Sequence, residues 1–207
     1  MSVTIIIPFV EDRGYLQEAI ESAENQTYKC EILLSQSGNN VGYNLNKAID
    51  QCSTEFWVYL CDDDVLPKDS IEKRLQAMKG FDFIHSNGMT FRKSLTRIIK
   101  PQITDISFSL LLKKNHIFGG TCMYRTEWRD RVQWDESLWT GEEFDYHLNL
   151  LLNGAQLGYL DEVTYHYRVH DAHKSSRKNA DNFIRRIRAI KDIRRKYDNG
   201  QSSNDQV

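Results

Sequence analysis

Short apolar runs and amphipathic stretches alternate at the start of the chain. Residues 3–7 and 31–34 are mostly apolar and contain β-branched side chains, which predicts two strands. Between them, apolar residues recur at every third or fourth position over residues 16–23, and this spacing predicts a helix. The first 34 residues therefore predict a β-strand, a helix and a second strand in succession.

The same alternation continues to about residue 87. Helical patterns cover residues 42–52 and 68–78, and each precedes an apolar run, at 56–60 and 81–85. Strands that alternate with helices favour an α/β fold, with a Rossmann-like, mainly parallel sheet flanked by helices. Ligands bind beyond the carboxyl ends of the strands in such sheets, so we expect the loops after the strands to share one crevice.

The second half of the chain has a mixed pattern. We predict a single domain over residues 1–198, with the first half over about 1–87, a smaller mixed half over about 88–180 and a basic helix over 181–198. Residues 199–207 carry no packing signal and predict a flexible tail or the start of a linker to a further domain. The other predicted elements are a polar hairpin up to residue 100, helices over 106–112 and 142–152, and strands over 156–160 and 165–169.

Composition argues against several classes of function. Lys and Arg total 27 against 29 Asp and Glu in 207 residues, so the net charge of −2 gives no electrostatic reason to expect nucleic acid as a partner. The four cysteines have no CxxC spacing, which is typical of reduced thiols and argues against a zinc site or a disulfide framework. The sequence has no signal-peptide pattern and no apolar run of membrane-spanning length. We therefore expect a cytoplasmic protein.

Three consecutive carboxylates follow the third predicted strand. Asp62, Asp63 and Asp64 come directly after an apolar run, and Pro67 ends the segment. Adjacent like charges at the end of a buried strand repel one another unless a positive charge lies nearby. Mg²⁺ or Mn²⁺ would supply that charge, since these ions bind carboxylate oxygens and leave positions open for phosphates. The alternative is a solvated acidic turn that caps the following helix.

Four segments of the chain occur in an order that is typical of one enzyme family. They are residues 4–8 with 18–22 and 25–28, the acidic segment 62–67, the segment Gly-Glu-Glu-Phe-Asp at 141–145, and the segment Tyr-Arg-Val-His at 167–170. With these segments the chain resembles the family 2 glycosyltransferases of the GT-A fold over nearly its whole length. Segment 62–67 is similar to the metal-binding DxD motif of that family.

The resemblance implies both a reaction and a metal. A UDP-sugar such as UDP-glucose would be held with Mn²⁺ or Mg²⁺, and its sugar would move with inversion to a hydroxyl group of a glycan, glycoprotein or glycolipid. Asp64, Asp62 and His170 would hold the metal, and Asp62 and Asp63 would also contact the donor. Which two of the three aspartates face the metal stays open.

The acidic segment before the helix at 142–152 is the candidate catalytic segment. Glu143 matches the position of the base in the family, although the family usually has aspartate there, and Glu142 and Asp145 are the further catalytic candidates. A positioned base contributes a factor of about 10² to 10⁴ in rate. The alternative is that these residues only complement the positive end of a helix dipole.

The remaining donor contacts are expected in loops after the strands and on the last strand. If residues 165–170 are extended, His166, Arg168 and His170 share one polar face, which suits metal and diphosphate contact. The family's acidic pair at the end of the second strand is replaced here by residues 35–37, Ser-Gln-Ser, of which Gln36 would pair with the edge of a uracil. The donor-binding candidates are Pro8, Phe9, Val10, Glu11, Gln36, Asn40, Tyr43, Asn44, Gly119, Gly120 and Arg168.

Several features allow more than one interpretation. Trp134 and Trp139 either stack on a sugar or belong to the core, and the basic helix either docks on the domain or makes peripheral contact with anionic lipid. The carboxylates would also serve a metal-dependent nucleotidyltransferase or phosphohydrolase. The altered nucleobase loop is compatible with a degenerate module that only binds a sugar nucleotide.

Overall fold

The computed structural model describes residues 1–36, 40–170 and 180–201. Within them, seven strands form one sheet flanked by helices. The strands are β1 (Val3–Pro8), β2 (Glu31–Ser35), β3 (Phe56–Tyr59), β4 (Phe83–Phe91), β5 (Leu95–Ile99), β6 (Met123–Arg125) and β7 (Leu157–Arg168). The helices are α1 (Leu16–Glu24), α2 (Val41–Gln51), α3 (Ser70–Ala77), α4 (Phe108–Lys113), α5 (Glu142–Leu152) and α6 (Ala180–Gln201), with 3₁₀ turns at Gly119–Thr121 and Thr126–Asp130.

The strand order places the two halves of the chain in one mixed sheet. The order is β2-β1-β3-β6-β4-β5, and β7 pairs with the other edge of β4. Strand β1 is parallel to β2 and β3, and β4 is parallel to β7. Strand β6 runs antiparallel to both β3 and β4 and so joins the first half of the sheet to the second.

Alternate side chains of β1 and β3 enter two apolar cores on opposite faces of the sheet. Ile5 and Val58 pack with residues of α1 and α3, whereas Ile6 and Trp57 pack with residues of α2 and α5. All four side chains are at most 1% exposed. Both faces of these strands are therefore covered, which explains why their sequences are apolar throughout.

Much of the predicted pattern is confirmed. The α/β class, the β1-α1-β2 unit and the hairpin before residue 100, which is the antiparallel pair β4 and β5, are all present. The predicted helix over 106–112 is α4, which starts later because the Ser107 side chain caps it by accepting from the Leu110 backbone N–H. Helix α6 continues to Gln201, beyond the predicted end at 198, and the rest of the predicted tail, 202–207, lies outside the described residues.

For the second half, one prediction was incomplete and one strand was missed. The separate strands predicted at 156–160 and 165–169 are one strand, β7, which pairs with β4 along its length. The pairing register between β4 and β7 shifts on both sides of Asn87. Residues 161–164, whose polar character resembles a loop, therefore form an irregular part of the strand. Strand β6 was not predicted, because a strand of three residues is too short to show a period.

Among the helices that the structure describes, none combines the length and the apolar character needed to cross a bilayer.

Candidate active site

A cavity of about 890 Å³ opens at the carboxyl ends of β1 and β3. Its walls include Pro8–Glu11 after β1 and residues 61–64 after β3, so these two loops share one crevice as predicted. The second half of the chain supplies the opposite wall, from the 3₁₀ turn at Gly119–Thr121, the start of α5, β7 and α6. The candidate site is therefore built between the two halves of the sheet.

Asp64 is the most firmly held of the three aspartates. Its carboxylate accepts a hydrogen bond from the Tyr165 hydroxyl at 2.7 Å and another from the Arg168 backbone N–H at 2.8 Å. The next residue, Val65, forms a two-way backbone bridge with His166 of β7, which fixes the turn to that strand. Burial raises the pKa of Asp64 well above its usual value, and the charge of Asp63 adds to this, while the two hydrogen bonds oppose it.

Asp62 and Asp63 share an arginine that sequence analysis did not identify. Arg13 Nη2 lies 2.9 Å from Asp62 Oδ1 and 3.0 Å from Asp63 Oδ2, and Nε2 of His170 lies 2.9 Å from the same Asp63 oxygen. Burial opposes the charge of Arg13, but the neighbouring carboxylates outweigh it and raise the pKa of the guanidinium. Burial likewise raises the pKa of Asp62, although Arg13 opposes that shift.

The cluster offers suitable groups for a divalent metal. Within the described chain, Cys61, Asp63 and Asp64 have ligand atoms that all lie within 4.8 Å of one another. Carboxylate oxygens suit Mg²⁺ and Mn²⁺, and an imidazole nitrogen is a common further ligand. The predicted metal set was Asp64, Asp62 and His170. The structure brings Asp63 next to Asp64 and His170, whereas Asp62 is not among the clustered ligand groups of the described residues.

Glu143 lies on the cavity wall in the first turn of α5. Its Oε1 accepts a hydrogen bond from the Tyr59 hydroxyl at the end of β3. Burial raises the pKa of Glu143, while hydrogen bonds from Tyr59 and from the Gly119 backbone oppose the shift. A Cβ atom at Gly119 would lie 2.5 Å from Glu143 Cδ, so only glycine lets the backbone approach this closely. The carboxylate is both positioned and more basic than an exposed one.

The other two catalytic candidates are placed differently. Glu142 lines the cavity beside Glu143. Asp145 is 1% exposed and does not line it; its carboxylate accepts from Lys196 Nζ at 2.9 Å, and its backbone carbonyl accepts from the Tyr197 hydroxyl at 3.1 Å. The side chain of Asp145 does not face the cavity, and its contacts attach α6 to the domain. We therefore assign it a structural role in place of the expected catalytic one.

The predicted nucleotide loop is supported from beneath by amides. Pro8, Phe9, Val10 and Glu11 all line the cavity. The side-chain amide of Gln36 donates to the Val10 carbonyl at 3.0 Å, so Gln36 supports the loop and is not among the residues of the cavity wall. The next part of this predicted site, Ser37, lies outside the described residues.

The start of α2 plays a similar supporting part. Asn44 is fully buried and donates to the Phe9 carbonyl at 3.1 Å. Asn40 caps α2 by accepting from the Tyr43 backbone N–H at 2.8 Å. The cavity wall includes Val41 but none of the predicted residues Asn40, Tyr43 and Asn44. Of the two predicted glycines, Gly120 lines the cavity and Gly119 lies against Glu143.

Strand β7 presents the opposite face to the one predicted. Tyr165 and Tyr167 line the cavity, whereas His166 and Arg168 do not. The Arg168 guanidinium pairs with Glu18, donates to the Asp63 backbone carbonyl at 2.7 Å, and lies over the rings of Tyr15 and Phe91 at 4.6 and 4.5 Å. Arg168 therefore supports the aspartate turn from behind rather than facing a diphosphate, because the strand's alternation directs the tyrosines inward.

Two tryptophans and α6 complete the cavity wall. Trp134 is 2% exposed and stacks on Tyr146 at 4.5 Å, which makes it a core residue with one edge on the cavity. Trp139 also lines the cavity, and the Arg185 guanidinium lies 5.0 Å from its ring. From α6, Arg186 and Ile190 reach the cavity wall. The basic helix thus forms part of the site.

Sequence analysis missed Arg13, Tyr59 and Tyr165. Arg13 lies in an irregular loop, where no periodicity indicates direction. Tyr165 shares a face with Tyr167, so the alternation of β7 could have identified it if the polar face had not been assigned to the site.

The structure resembles solved structures of S. aureus TarS. A TarS 1–349 complex with UDP-GlcNAc has a TM-score of 0.71 and 17% identity, covering 92% of this chain and 65% of that chain. A TarS 1–349 complex with UDP has a TM-score of 0.67 and 16% identity, covering 82% and 61%. A further TarS structure has a TM-score of 0.66 and 15% identity, covering 82% of this chain and 37% of that one.

These likenesses show a GT-A-like fold, which confirms the predicted fold. The chain spans less than two thirds of the length of each TarS structure to which it is compared. The sequence matches no protein-family model and no curated protein.

Proposed function

We propose that the chain is a metal-dependent glycosyltransferase that moves a sugar from a UDP-sugar to a hydroxyl group of a glycan, glycoprotein or glycolipid. The observation that carries this proposal is that the aspartate cluster after β3 and the Glu143 carboxylate line the same cavity. The TarS complexes with UDP and with UDP-GlcNAc support the choice of donor, since the two proteins share a fold.

The aspartate cluster is the proposed diphosphate end of the site. Asp63, Asp64 and His170 would hold Mn²⁺ or Mg²⁺, and the ion would supply positive charge where the leaving diphosphate gains negative charge. Tyr165 and the Arg168 backbone orient the Asp64 carboxylate, so its geometry is set before any ligand binds. The loop Pro8–Glu11 would take the nucleoside, since it lines the adjoining part of the wall.

Glu143 is the proposed general base. Its carboxylate would accept the proton of the acceptor hydroxyl as that oxygen attacks the anomeric carbon from the side opposite the leaving diphosphate, which inverts the configuration. The raised pKa increases its affinity for the proton, and the Tyr59 hydroxyl fixes its orientation. Trp139 and Arg186 on the nearby wall are suited to contact the acceptor.

A panel of nucleotide-sugars with Mn²⁺ tests the reaction. We expect UDP release that depends on the metal and on an acceptor, and a product with the anomeric configuration opposite to the donor's. Asp64→Asn and Asp64→Ala should lose metal-dependent UDP binding. Asp69→Ala, which changes the residue directly before α3 and outside the cavity, should retain it. Release of a sugar phosphate would indicate a phosphohydrolase or nucleotidyltransferase instead, and unchanged UDP binding by both Asp64 variants would contradict the proposal.

A further inference from the structure

Arg13 lies between two carboxylates, of which Asp63 also belongs to the proposed cation site. A single nitrogen, Nη2, bridges Asp62 and Asp63 at 2.9 and 3.0 Å. The arginine side chain is 32% exposed, whereas those of the two aspartates are 12% and 11% exposed. The guanidinium is thus more accessible to solvent than the carboxylates that it contacts. One of these, Asp63, is also a residue whose ligand atoms cluster with those of Asp64.

Arg13 belongs to a loop that lies outside the strands of the sheet. It lies between β1 and α1, and its turn is made by Gly14, whose φ is +86° and whose N–H donates to Asp12 Oδ1 at 2.7 Å. A long arginine side chain on such a loop can change partners by rotating about its own bonds, without movement of β1 or β3. Arg13 also lines the cavity, so its guanidinium is next to the space for a ligand.

We propose that Arg13 exchanges partners when the donor binds: its guanidinium neutralises Asp62 and Asp63 in the free chain, gives up Asp63 to a divalent cation, and then binds a phosphate of the nucleoside diphosphate. This inference rests on the proposed function. A guanidinium and a divalent cation repel each other at contact distance, so both cannot bind the same Asp63 oxygen. A guanidinium released beside a diphosphate has a strong new partner, because arginine binds phosphate oxygens through charge-assisted, often paired hydrogen bonds.

This exchange makes Arg13 a positioning residue with two opposite effects on binding. Without a nucleotide it competes with the metal, and with the nucleotide bound it adds an attractive contact. A purely structural arginine would weaken both kinds of binding when removed, because the loop and the aspartates would lose their order. The two measurements together therefore distinguish the roles.

The test compares Arg13→Gln with the parent chain by calorimetric titration. With Mn²⁺ alone, the variant should bind the ion roughly three- to tenfold more tightly, since a competing cation has been removed. With UDP at saturating Mn²⁺, the variant should bind roughly tenfold more weakly or worse, since a phosphate contact has been lost. Arg195→Gln removes an equal charge from a surface pair with Asp192, outside the cavity, and should change neither value.

A second variant guards against a folding defect in the first. Arg13→Lys keeps a point charge that can bridge the aspartates, so Mn²⁺ alone should bind close to the parent value, while UDP binding falls part of the way because the planar fork is lost. If Arg13→Gln changes both affinities in the same direction, or neither, the partner exchange is overturned and the glycosyltransferase proposal stands. If the parent chain binds neither Mn²⁺ nor UDP, both proposals fail.

Discussion

The Glu143 carboxylate shows how single neighbours set the chemistry of one residue. Burial raises its pKa, and the hydrogen bond from the Tyr59 hydroxyl acts in the opposite direction because it stabilises the charged form. The pKa remains above that of an exposed glutamate, so the carboxylate is a better proton acceptor than an exposed one.

Removing the Tyr59 hydroxyl should shift the pH dependence of the reaction. Tyr59→Phe removes a bond that lowers the pKa of Glu143, so that pKa should rise further. Since the base acts when deprotonated, kcat/KM should begin to fall at a higher pH than in the parent as the solution is acidified. Initial rates across the pH range measure this. Tyr28→Phe, which removes a hydroxyl bonded to the Met1 carbonyl outside the cavity, is the control.

The same residue gives a direct test of the base. Glu143→Gln should lower kcat by a factor of about 10² to 10⁴ while donor binding is retained, because the amide accepts no proton. If kcat/KM decreases at the same pH in Tyr59→Phe as in the parent, and Glu143→Gln remains active, Glu143 is excluded as the base.

Helix α6 is attached to the domain through a few specific polar contacts. Lys196 pairs with the buried Asp145 carboxylate at 2.9 Å, and Arg194 donates to the backbone carbonyls of Leu112 and Lys113 in α4. Ile193 and Tyr197 bury their side chains in the core. These contacts place Arg186 and Ile190 on the cavity wall, so the stability of the helix and the shape of the site are linked.

Loss of the Lys196 charge should destabilise the chain. Lys196→Met removes the ammonium group that donates to the buried Asp145 carboxylate, and leaving such a group unsatisfied costs about 1–3 kcal/mol. Denaturant unfolding measures the change. Lys191→Met, at an exposed position of the same helix, should alter the free energy of unfolding by less than about 0.5 kcal/mol. Equal effects of the two substitutions would contradict the role of the pair.

At the scale of the whole molecule, a buried arginine joins elements that are distant in sequence. Arg74 of α3 is fully buried and donates to the Thr164 hydroxyl at 2.9 Å, to the Thr164 carbonyl at 2.8 Å and to the Cys122 carbonyl at 2.9 Å. Ser86 of β4 extends the network through the Thr164 hydroxyl at 2.6 Å. Burial lowers the pKa of Arg74 to about 10, so the guanidinium remains charged at neutral pH. The network ties α3, from the first half of the chain, to β4 and β7 of the second half.

Replacement of this arginine should destabilise both halves together. Arg74→Met leaves buried acceptors without their donor, and we expect a loss of about 2–5 kcal/mol with a single unfolding transition retained. Coincident near- and far-ultraviolet circular dichroism during denaturation would show that single transition. Lys73→Met, the neighbouring residue with partners near the surface, should cost less than about 1 kcal/mol. Separate transitions for the two signals in Arg74→Met would show a populated intermediate and contradict the expected cooperative unfolding.

The sequence by itself determined the elements whose apolar residues recur with a clear period. It also determined which carboxylates directly follow a strand or open a helix. The apolar strands β1 and β3, their helices and the carboxylates at Asp62–Asp64 and Glu143 follow from local pattern and chain order. These features depend on neighbours close in sequence, so a linear pattern records them.

Only the tertiary structure decided which side chains face the cavity. Arg13 meets Asp62 and Asp63 across about fifty residues of sequence, and Lys196 meets Asp145 across a similar separation. Whether a carboxylate turns toward a cavity or toward a buried cation depends on the packing of distant elements, and no local period carries that information. For that reason Asp145 and Arg168 are structural partners, while Arg13, which no pattern marked, lies at the centre of the candidate site.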